Sequence, residues 1–347
     1  MSRAKRILIC TAQVPFARGG AELLAEGLRD ALRGAGHQAD IVALPYTISP
    51  HREVLASALA WRMLDLSTVD GVAVDQVICT KFPSYAVAHP NKVVWLVHQH
   101  RQLYDWRGTQ WSDWGSEPND AHTAAALMRL DRRTLGEALR RFTISRLVSE
   151  RLARFNQLSS TPLYPPSIYS GRLRRGPYEP YILSITRLDR AKRLDLLLHA
   201  LAHTSNPVRA IIGGSGPELG ALQTLARNLN LGARVEFRGW LDDEALIALY
   251  ANARAVWYTP IDEDFGFATI EALEAARPVI TTSDAGTVLE WVRDGETGLV
   301  APPDPRALAA RLDLLWETPH LAARLGAAGP STVAAIRWST VINQLVL

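Results

Sequence analysis

The chain has 347 residues, of which 48% are hydrophobic and 21% charged, and it carries a net charge of +3. This balance excludes a disordered polar chain, and no run approaches the ~20 apolar residues of a membrane-spanning helix. The length exceeds one ordinary core and suits two α/β domains of about 150 to 200 residues each.

The basic start and the apolar residues after Arg6 read as the lead-in to a first strand, Arg6–Thr11. They do not read as a signal peptide, because the apolar run is short and leads straight to Pro15 and a glycine pair. A helix over Ala21–Gly34 follows, with Leu23, Leu24, Leu28 and Leu32 on one face. Gln76–Thr80, Val93–Val97 and Phe142–Ser145 are further strands, and the alternation predicts a parallel sheet covered on both sides. Cys10 and Cys79 fall inside two of these apolar runs. Two buried thiols without disulfide or metal spacing point to a reducing, cytoplasmic setting.

Leu158–Gly176 has no periodicity, and Tyr164-Pro165-Pro166 marks it as a linker. Beyond it the alternation restarts. Tyr181–Ile185, Val208–Ile212, Val235–Phe237, Ala255–Tyr258 and Pro278–Thr281 read as strands. Helices are expected around Leu194–Ala202, Glu218–Leu229, Asp243–Ala251 and Ala268–Ala276. Thr332–Leu347, with Trp338, is a helix-like tail that either ends the chain plainly or crosses back onto the first domain. The expected domains are therefore 1–165 and 166–330, with a terminal helix over 331–347. Residues 1–165 hold 20 basic and 15 acidic residues (+5), whereas 166–347 hold 18 and 20 (−2). The first domain is the one suited to an anionic partner, unless the arginine surplus only reflects base composition.

Thr259–Ala276 carries the strongest chemical signal. A strand runs into a loop, and a helix begins near Phe267 after Gly266, so unpaired N–H groups and the positive dipole end there suit a phosphate. Phe265, Gly266, Phe267 and Ala268 form this turn. Glu263 lies in the loop and Glu271 on the helix, suited to a sugar and to vicinal ribose hydroxyls respectively. Their ordinary alternative is a solvated loop charge and a surface helix residue. Arg187 and Lys192 follow Tyr181–Ile185, where two fixed cations would stabilise charge growing on a leaving diphosphate. A solvated basic loop is the alternative. Gly214 and Gly216 end Val208–Ile212, where glycine permits close backbone approach to a base or phosphate, or simply a tight turn. Gly19 and Gly20 take the corresponding place after the first strand. His98 and His100 end Val93–Val97, at the carboxyl end of a parallel strand where ligands sit in such sheets. A satisfied core histidine is the alternative, and no third ligand for zinc is evident. Trp106, Trp111 and Trp114, with Tyr104, Arg101 and Arg107, suit either a sugar or lipid contact or loop packing.

Across 181–305 the sequence resembles glycosyltransferase family 4, whose signature is Glu, seven residues, Glu around Phe-Gly, here Glu263 to Glu271. The likeness continues through Arg277-Pro278-Val279-Ile280, Ser283-Asp284-Ala285-Gly286, Glu290-Trp291-Val292, Asp294-Gly295 and Gly298-Leu299-Val300. The resemblance implies an α/β GT-B fold of two Rossmann-like domains facing each other across a cleft, with the donor mainly on the second domain and the acceptor on the first. It implies a retaining transfer from a UDP- or GDP-sugar to an acceptor hydroxyl. Arg187 and Lys192 would hold the diphosphate, Glu263 the donor sugar and Glu271 the ribose. His98 would sit beside the transferred sugar, and Gly19 and Gly20 near the diphosphate and acceptor entrance. Two positions depart from the family: Thr186 where glycine usually precedes the arginine, and Arg193 where glycine often follows the lysine. Thr186 argues against tight backbone approach, and Arg193 either adds a charge or faces water.

The nucleotide sugar is a substrate, so no cofactor is expected. No metal is expected either, although Asp262-Glu263-Asp264 mimics the Asp-x-Asp of another glycosyltransferase fold. The expected partners are the donor and a carbohydrate or lipid-linked acceptor, with peripheral membrane contact through the basic domain and no nucleic acid. An epimerase on the same fold and a non-catalytic sugar-nucleotide-binding subunit are the rival readings.

Overall fold

The structure is a computed structural model and describes residues 3–15 and 19–347. Met1 and Ser2, at the head of the segment read as a strand lead-in, lie outside the described residues. The chain forms two compact units, Met1–Ile168 with Ile336–Leu347, and Tyr169–Ala335.

The first unit contains β1 (Arg6–Gln13), α1 (Gly20–Gly34), β2 (Gln38–Pro45), α2 (His51–Met63) and a hairpin of β3 (Thr68–Val69) and β4 (Val72–Ala73). It continues with β5 (Gln76–Cys79), β6 (Lys92–Leu96), α3 (Asp120–Gly136), β7 (Arg140–Thr143), α4 (Arg146–Asn156) and β8 (Thr161–Pro162). Six strands pair in parallel in the order β2-β1-β5-β6-β7-β8. Every residue of β5 and β6 is buried, as expected of parallel strands covered on both faces. On α1 the buried face is Leu24, Ala25, Leu28 and Leu32, so three of the four predicted leucines point inward and Leu23 does not. α3 escapes a periodicity reading because Asp120, Asp131 and Thr134 share its buried face with Ala124, Leu127 and Leu135.

The second unit contains β9 (Tyr181–Ile185), α5 (Leu194–His203), β10 (Arg209–Gly213), α6 (Leu219–Asn228), β11 (Val235–Gly239) and α7 (Asp243–Asn252). β12 (Ala255–Trp257), α8 (Phe267–Glu274), β13 (Val279–Thr282), α9 (Val288–Trp291), β14 (Gly298–Ala301), α10 (Pro305–Glu317), α11 (Pro319–Ala327) and α12 (Gly329–Val333) follow. The sheet order is β11-β10-β9-β12-β13-β14, all parallel. The order reverses between β9 and β12, and ligands of open α/β sheets bind outside the strand ends at such a switch. Leu197, Leu198 and Leu201 of α5 pack with Leu308, Leu312 and Leu315 of α10 against one face of the sheet. Arg277, fully buried, donates to the carbonyls of Gly176, Pro177 and Ala253 and stacks on Tyr178 at 3.9 Å. That guanidinium fixes the start of the unit.

α13 (Trp338–Leu345) belongs to the first unit, whereas residues 331–335, read with the tail, belong to the second. Trp338 meets Trp95 edge-on at 6.4 Å, and the Gln76 amide donates to the Leu345 carbonyl at 2.7 Å. Gly27 of α1 makes room for this packing: a Cβ there would come within 2.6 Å of the Trp338 ring. No helix among the described residues is long and apolar enough to cross a membrane.

Candidate active site

The β9–β12 switch point gathers three side chains. A short helical turn over Arg190–Lys192 carries Lys192 after β9, and the loop after β12 carries Tyr258 and Glu263. The Lys192 ammonium donates to Glu263 Oε2 at 2.5 Å and to the Tyr258 hydroxyl at 3.3 Å; Tyr258 in turn donates to Glu263 Oε2 at 2.9 Å. Burial opposes the Lys192 charge, but the Glu263 carboxylate outweighs it and holds the lysine above its ordinary range. Burial, and then the same carboxylate, push the Tyr258 hydroxyl up. At neutral pH the cluster is thus an ammonium and a neutral phenol on one carboxylate. Tyr258 was not singled out in the sequence, though an aromatic with a polar tip at a strand's carboxyl end is a usable signal.

Backbone contacts fix Glu263 in place. Ile261 N–H donates to Ala191 O at 2.9 Å, which ties the two loops together. Asp262 N–H donates to Asp284 O and Glu263 N–H to Ala285 O, while Glu263 O accepts from Thr287 N–H. Gly286 closes this contact at φ +65°, and a Cβ there would fall 2.5 Å from Glu263 N.

Arg193 corrects its sequence reading. It neither faces water nor adds a charge to the site. Its backbone is left-handed at φ +50°, a conformation that costs a non-glycine residue about 1 kcal/mol. Its guanidinium donates to Thr259 O (2.9 Å), Pro260 O (2.8 Å), Thr282 Oγ1 (2.8 Å) and both oxygens of Asp284 (2.8 and 2.7 Å). Burial works against the Asp284 charge, yet Arg193 and Thr282 hold its carboxyl below the usual range.

Other candidates of the second unit lie around this cluster with different surroundings. Arg187 is exposed, with Asp189 at 3.9 Å, and the structure does not bring it onto Lys192 and Glu263. Gly214 and Gly216 face the chain itself. A Cβ on Gly214 would meet Thr186 O at 1.9 Å, and one on Gly216 would meet Leu188 O at 2.3 Å. Close backbone approach does occur at Thr186, supplied from the opposing side by Gly214. Gly266 begins α8 at φ +84°, and a Cβ there would strike Tyr258 at 2.8 Å. Phe265 is buried and meets the half-buried Phe267 edge-on at 5.0 Å, with Ala268 buried behind them. Glu271 is not a surface residue: it is buried and accepts from Tyr250 at 2.9 Å.

In the first unit, Gly19 precedes α1 and donates its N–H to Glu22 Oε2 at 2.9 Å, while Gly20 opens the helix. Lys81, just past β5, donates to the other Glu22 oxygen at 2.8 Å. His98 lies two residues beyond β6, half-buried, with Nδ1–H on Gln99 O at 2.6 Å. His100 is a core histidine. Trp114 N–H donates to its Nε2 at 3.1 Å, so the proton sits on Nδ1, facing the Tyr46 hydroxyl at 2.8 Å. Burial, and then His98, depress it to about 4. Trp114 also stacks on His51 at 4.2 Å, which settles it as loop packing. The half-buried Trp106 meets Trp111 at 6.2 Å and carries the Arg101 guanidinium at 4.0 Å, with Arg107 exposed beside them. Tyr104 is buried on Asp131.

Among the described residues, His51, Glu117 and Asp120 come close enough to share a metal ion. Their atoms are engaged with one another: Asp120 accepts from His51, Gly115 N–H and Glu117 N–H at 2.8, 2.6 and 3.1 Å. Burial disfavours charge on His51, but Asp120 and Asp113 outweigh it and raise its pKa. In Asp262-Glu263-Asp264 the middle carboxylate turns to Lys192, not to its neighbours.

Comparison with known proteins adds to this geometry. Residues 170–332 match the family model for glycosyl transferases group 1. A D-inositol 3-phosphate glycosyltransferase of Streptomyces scabiei is 35% identical over 167 residues, which is 44% of this chain and 37% of that protein. The chain covers under half the length of the curated relatives it matches. Among solved structures, sucrose-phosphate synthase from Thermosynechococcus elongatus superposes with a TM-score of 0.80 at 19% identity, covering 98% of this chain and 97% of that one. HepE of Anabaena, solved with UDP-glucose, gives 0.72 at 18% identity, covering 98% of each. The chain has the GT-B fold of two Rossmann-like units, and the unit that holds Lys192 and Glu263 is the one that matches the group 1 glycosyl transferases.

Proposed function

We propose that the chain is a retaining, metal-independent glycosyltransferase that uses a UDP- or GDP-sugar and an acceptor hydroxyl. The observation that carries this reading is the Lys192–Glu263–Tyr258 cluster at the switch point of the second sheet, inside the segment that matches the family. An ammonium has three N–H donors, and among the described residues Lys192 spends two on Glu263 and Tyr258. The third is the one assigned to the donor's diphosphate.

In the proposed step the bond from the sugar's anomeric carbon to the phosphate oxygen breaks and its electron pair leaves with the diphosphate. The acceptor oxygen bonds to the same face of that carbon, and its proton passes to the departing phosphate oxygen. Negative charge grows on the diphosphate in the transition state, so Lys192 and the N–H groups opening α8 stabilise that state more than the bound substrate. Arg187, exposed in this structure, is assigned to the same diphosphate and would have to swing onto it. Glu263 is assigned to hydroxyls of the donor sugar and Glu271 to the ribose. In the first unit, His98 is assigned to a sugar hydroxyl, and Gly19 and Gly20 to close backbone approach to a ligand. The acceptor class is a carbohydrate or a lipid-linked sugar, and no cofactor is assigned.

The test starts with melting temperature in the presence of UDP, GDP and ADP, since a ligand that binds only the folded form raises it. Release of UDP from UDP-glucose and of GDP from GDP-mannose, with a panel of carbohydrate and lipid-linked acceptors supplied, then measures turnover. A rise with UDP or GDP together with nucleotide release abolished in Lys192→Ala supports the reading. Binding without release from either sugar, whichever acceptor of the panel is present, would leave a binding subunit in its place.

A further inference from the structure

We infer that Arg193 is a positioning residue, which holds the Lys192 ammonium on Glu263 by tying together the loops that follow β9, β12 and β13. The inference rests on the reading of Lys192 and Glu263 given above. Three observations carry it.

Arg193 directly follows Lys192 and shares its turn: Lys192 N–H donates to Asp189 O, and Arg193 N–H to Arg190 O. Anchoring the guanidinium therefore restrains the backbone turn that carries the lysine. On the far side, the Arg193 fork takes both oxygens of Asp284, whose own carbonyl accepts from Asp262 N–H, next to Glu263. Of the remaining three bonds, two go to Thr259 O and Pro260 O, in the strand-end loop that carries Tyr258 and Glu263, and one to Thr282 Oγ1 at the end of β13. One side chain thus reaches both partners of the ion pair, Lys192 from behind and Glu263 through two adjoining loops.

The backbone makes the arrangement specific to arginine. The left-handed conformation at φ +50° would be strain-free for glycine, and the chain accepts the strain in return for five hydrogen bonds. Lysine could not replace it, because a single ammonium has neither the planar fork nor the donors to engage Asp284 bidentately while reaching two carbonyls. The Arg193 side chain is only 14% exposed, so the brace is shielded from competing water.

A simple structural brace makes a different prediction, and a double-mutant cycle separates the two. kcat and KM for nucleotide release are measured with UDP-glucose or GDP-mannose and the acceptor that supports the fastest release, for wild type, Arg193→Gly, Lys192→Ala and the double variant. Positioning predicts that Arg193→Gly lowers kcat about 30- to 100-fold with KM within about threefold, the scale of an ångström-sized misplacement. On the Lys192→Ala background the same change then costs less than about threefold, because the group being positioned is gone. Arg193→Lys fails to restore kcat. A full multiplicative loss in the double variant, or wild-type kcat in Arg193→Gly, overturns the inference while the reading of Lys192 stands. Wild-type turnover in Lys192→Ala, or no release from either sugar in wild type, overturns that reading and the inference with it. Should Arg193→Gly fold poorly, Asp284→Asn weakens the same brace from its other end and enters the same cycle.

Discussion

Two lysines show how differently the units use a buried positive charge. Lys92 on β6 is fully buried and spends its three donors inside the fold, on the carbonyls of Tyr85 and Val87 and on Glu137. Lys192 is held by one carboxylate and one phenol, at the carboxyl end of a central strand, by the switch point where ligands of such sheets bind. The first is saturated and can only stabilise. The second keeps bonding capacity at a place where capacity is useful. Burial alone does not mark a functional charge; what matters is burial with an incomplete set of partners at a strand's carboxyl end.

This contrast can be broken by exchanging the roles of the two residues. Lys192→Ala is expected to lower nucleotide release about 10²- to 10³-fold, the usual loss when one charge-stabilising donor is removed. Its melting temperature should stay near that of wild type or fall modestly. Lys92→Ala should do the reverse: stability falls by about 2–3 kcal/mol, because two buried carbonyls lose their donor and the buried stem leaves a cavity, Glu137 keeping Arg62, while kcat per folded molecule is unchanged. Chemical denaturation and turnover on the same preparations check both. Equal losses of activity in the two variants would dissolve the distinction.

A subtler break leaves every charge in place. In Gly286→Ala the new Cβ meets the Glu263 backbone at 2.5 Å and the residue is held at φ +65°. Glu263 must move off Lys192, and turnover is expected to drop about 30-fold with a smaller change in donor KM. Arg187→Ala, with its exposed side chain, leaves the fold untouched and serves as the control for stability.

The two halves also differ in how much of them could be read from sequence. In the second, Lys192, Glu263 and Gly266 stand out because each breaks a pattern at a strand's carboxyl end, and strand–helix alternation places those ends. Sequence could not show that Glu263 faces Lys192 across 71 positions, or that Arg193 turns inward, since an arginine after a lysine in a loop reads as solvated. The first unit shows only β1, β5, β6, β7 and α1. β2 is an edge strand with few buried residues, and α3 hides its period behind Asp120, Asp131 and Thr134. A polar residue on a helix reads as its outer face, so a polar core looks like surface until the fold closes over it.

Asp131 offers the smallest and cleanest test of that polar core. It is buried on α3, accepts from Tyr104 at 2.7 Å, and burial raises its carboxyl to about 7. In the unfolded chain the same group ionises near 4. Between about pH 4 and 7 the unfolded form has lost the proton and the folded form keeps it, so stability falls as pH rises and the loss is complete above 7. His100 works in the opposite sense. Its folded value near 4 lies below the unfolded value of about 6.5, so stability falls as pH drops from 6.5 towards 4. Asp131→Asn keeps an acceptor for Tyr104 and removes the titration. The variant should match wild type near pH 4 and exceed its stability by about 1–2 kcal/mol at pH 8, a shift of a few degrees in melting temperature. His100→Asn should instead flatten the acid limb and leave the alkaline one alone. Parallel curves for wild type and Asp131→Asn would mean that the buried carboxylate holds its charge through contacts other than Tyr104, and the first unit would then resemble the second more than its geometry indicates.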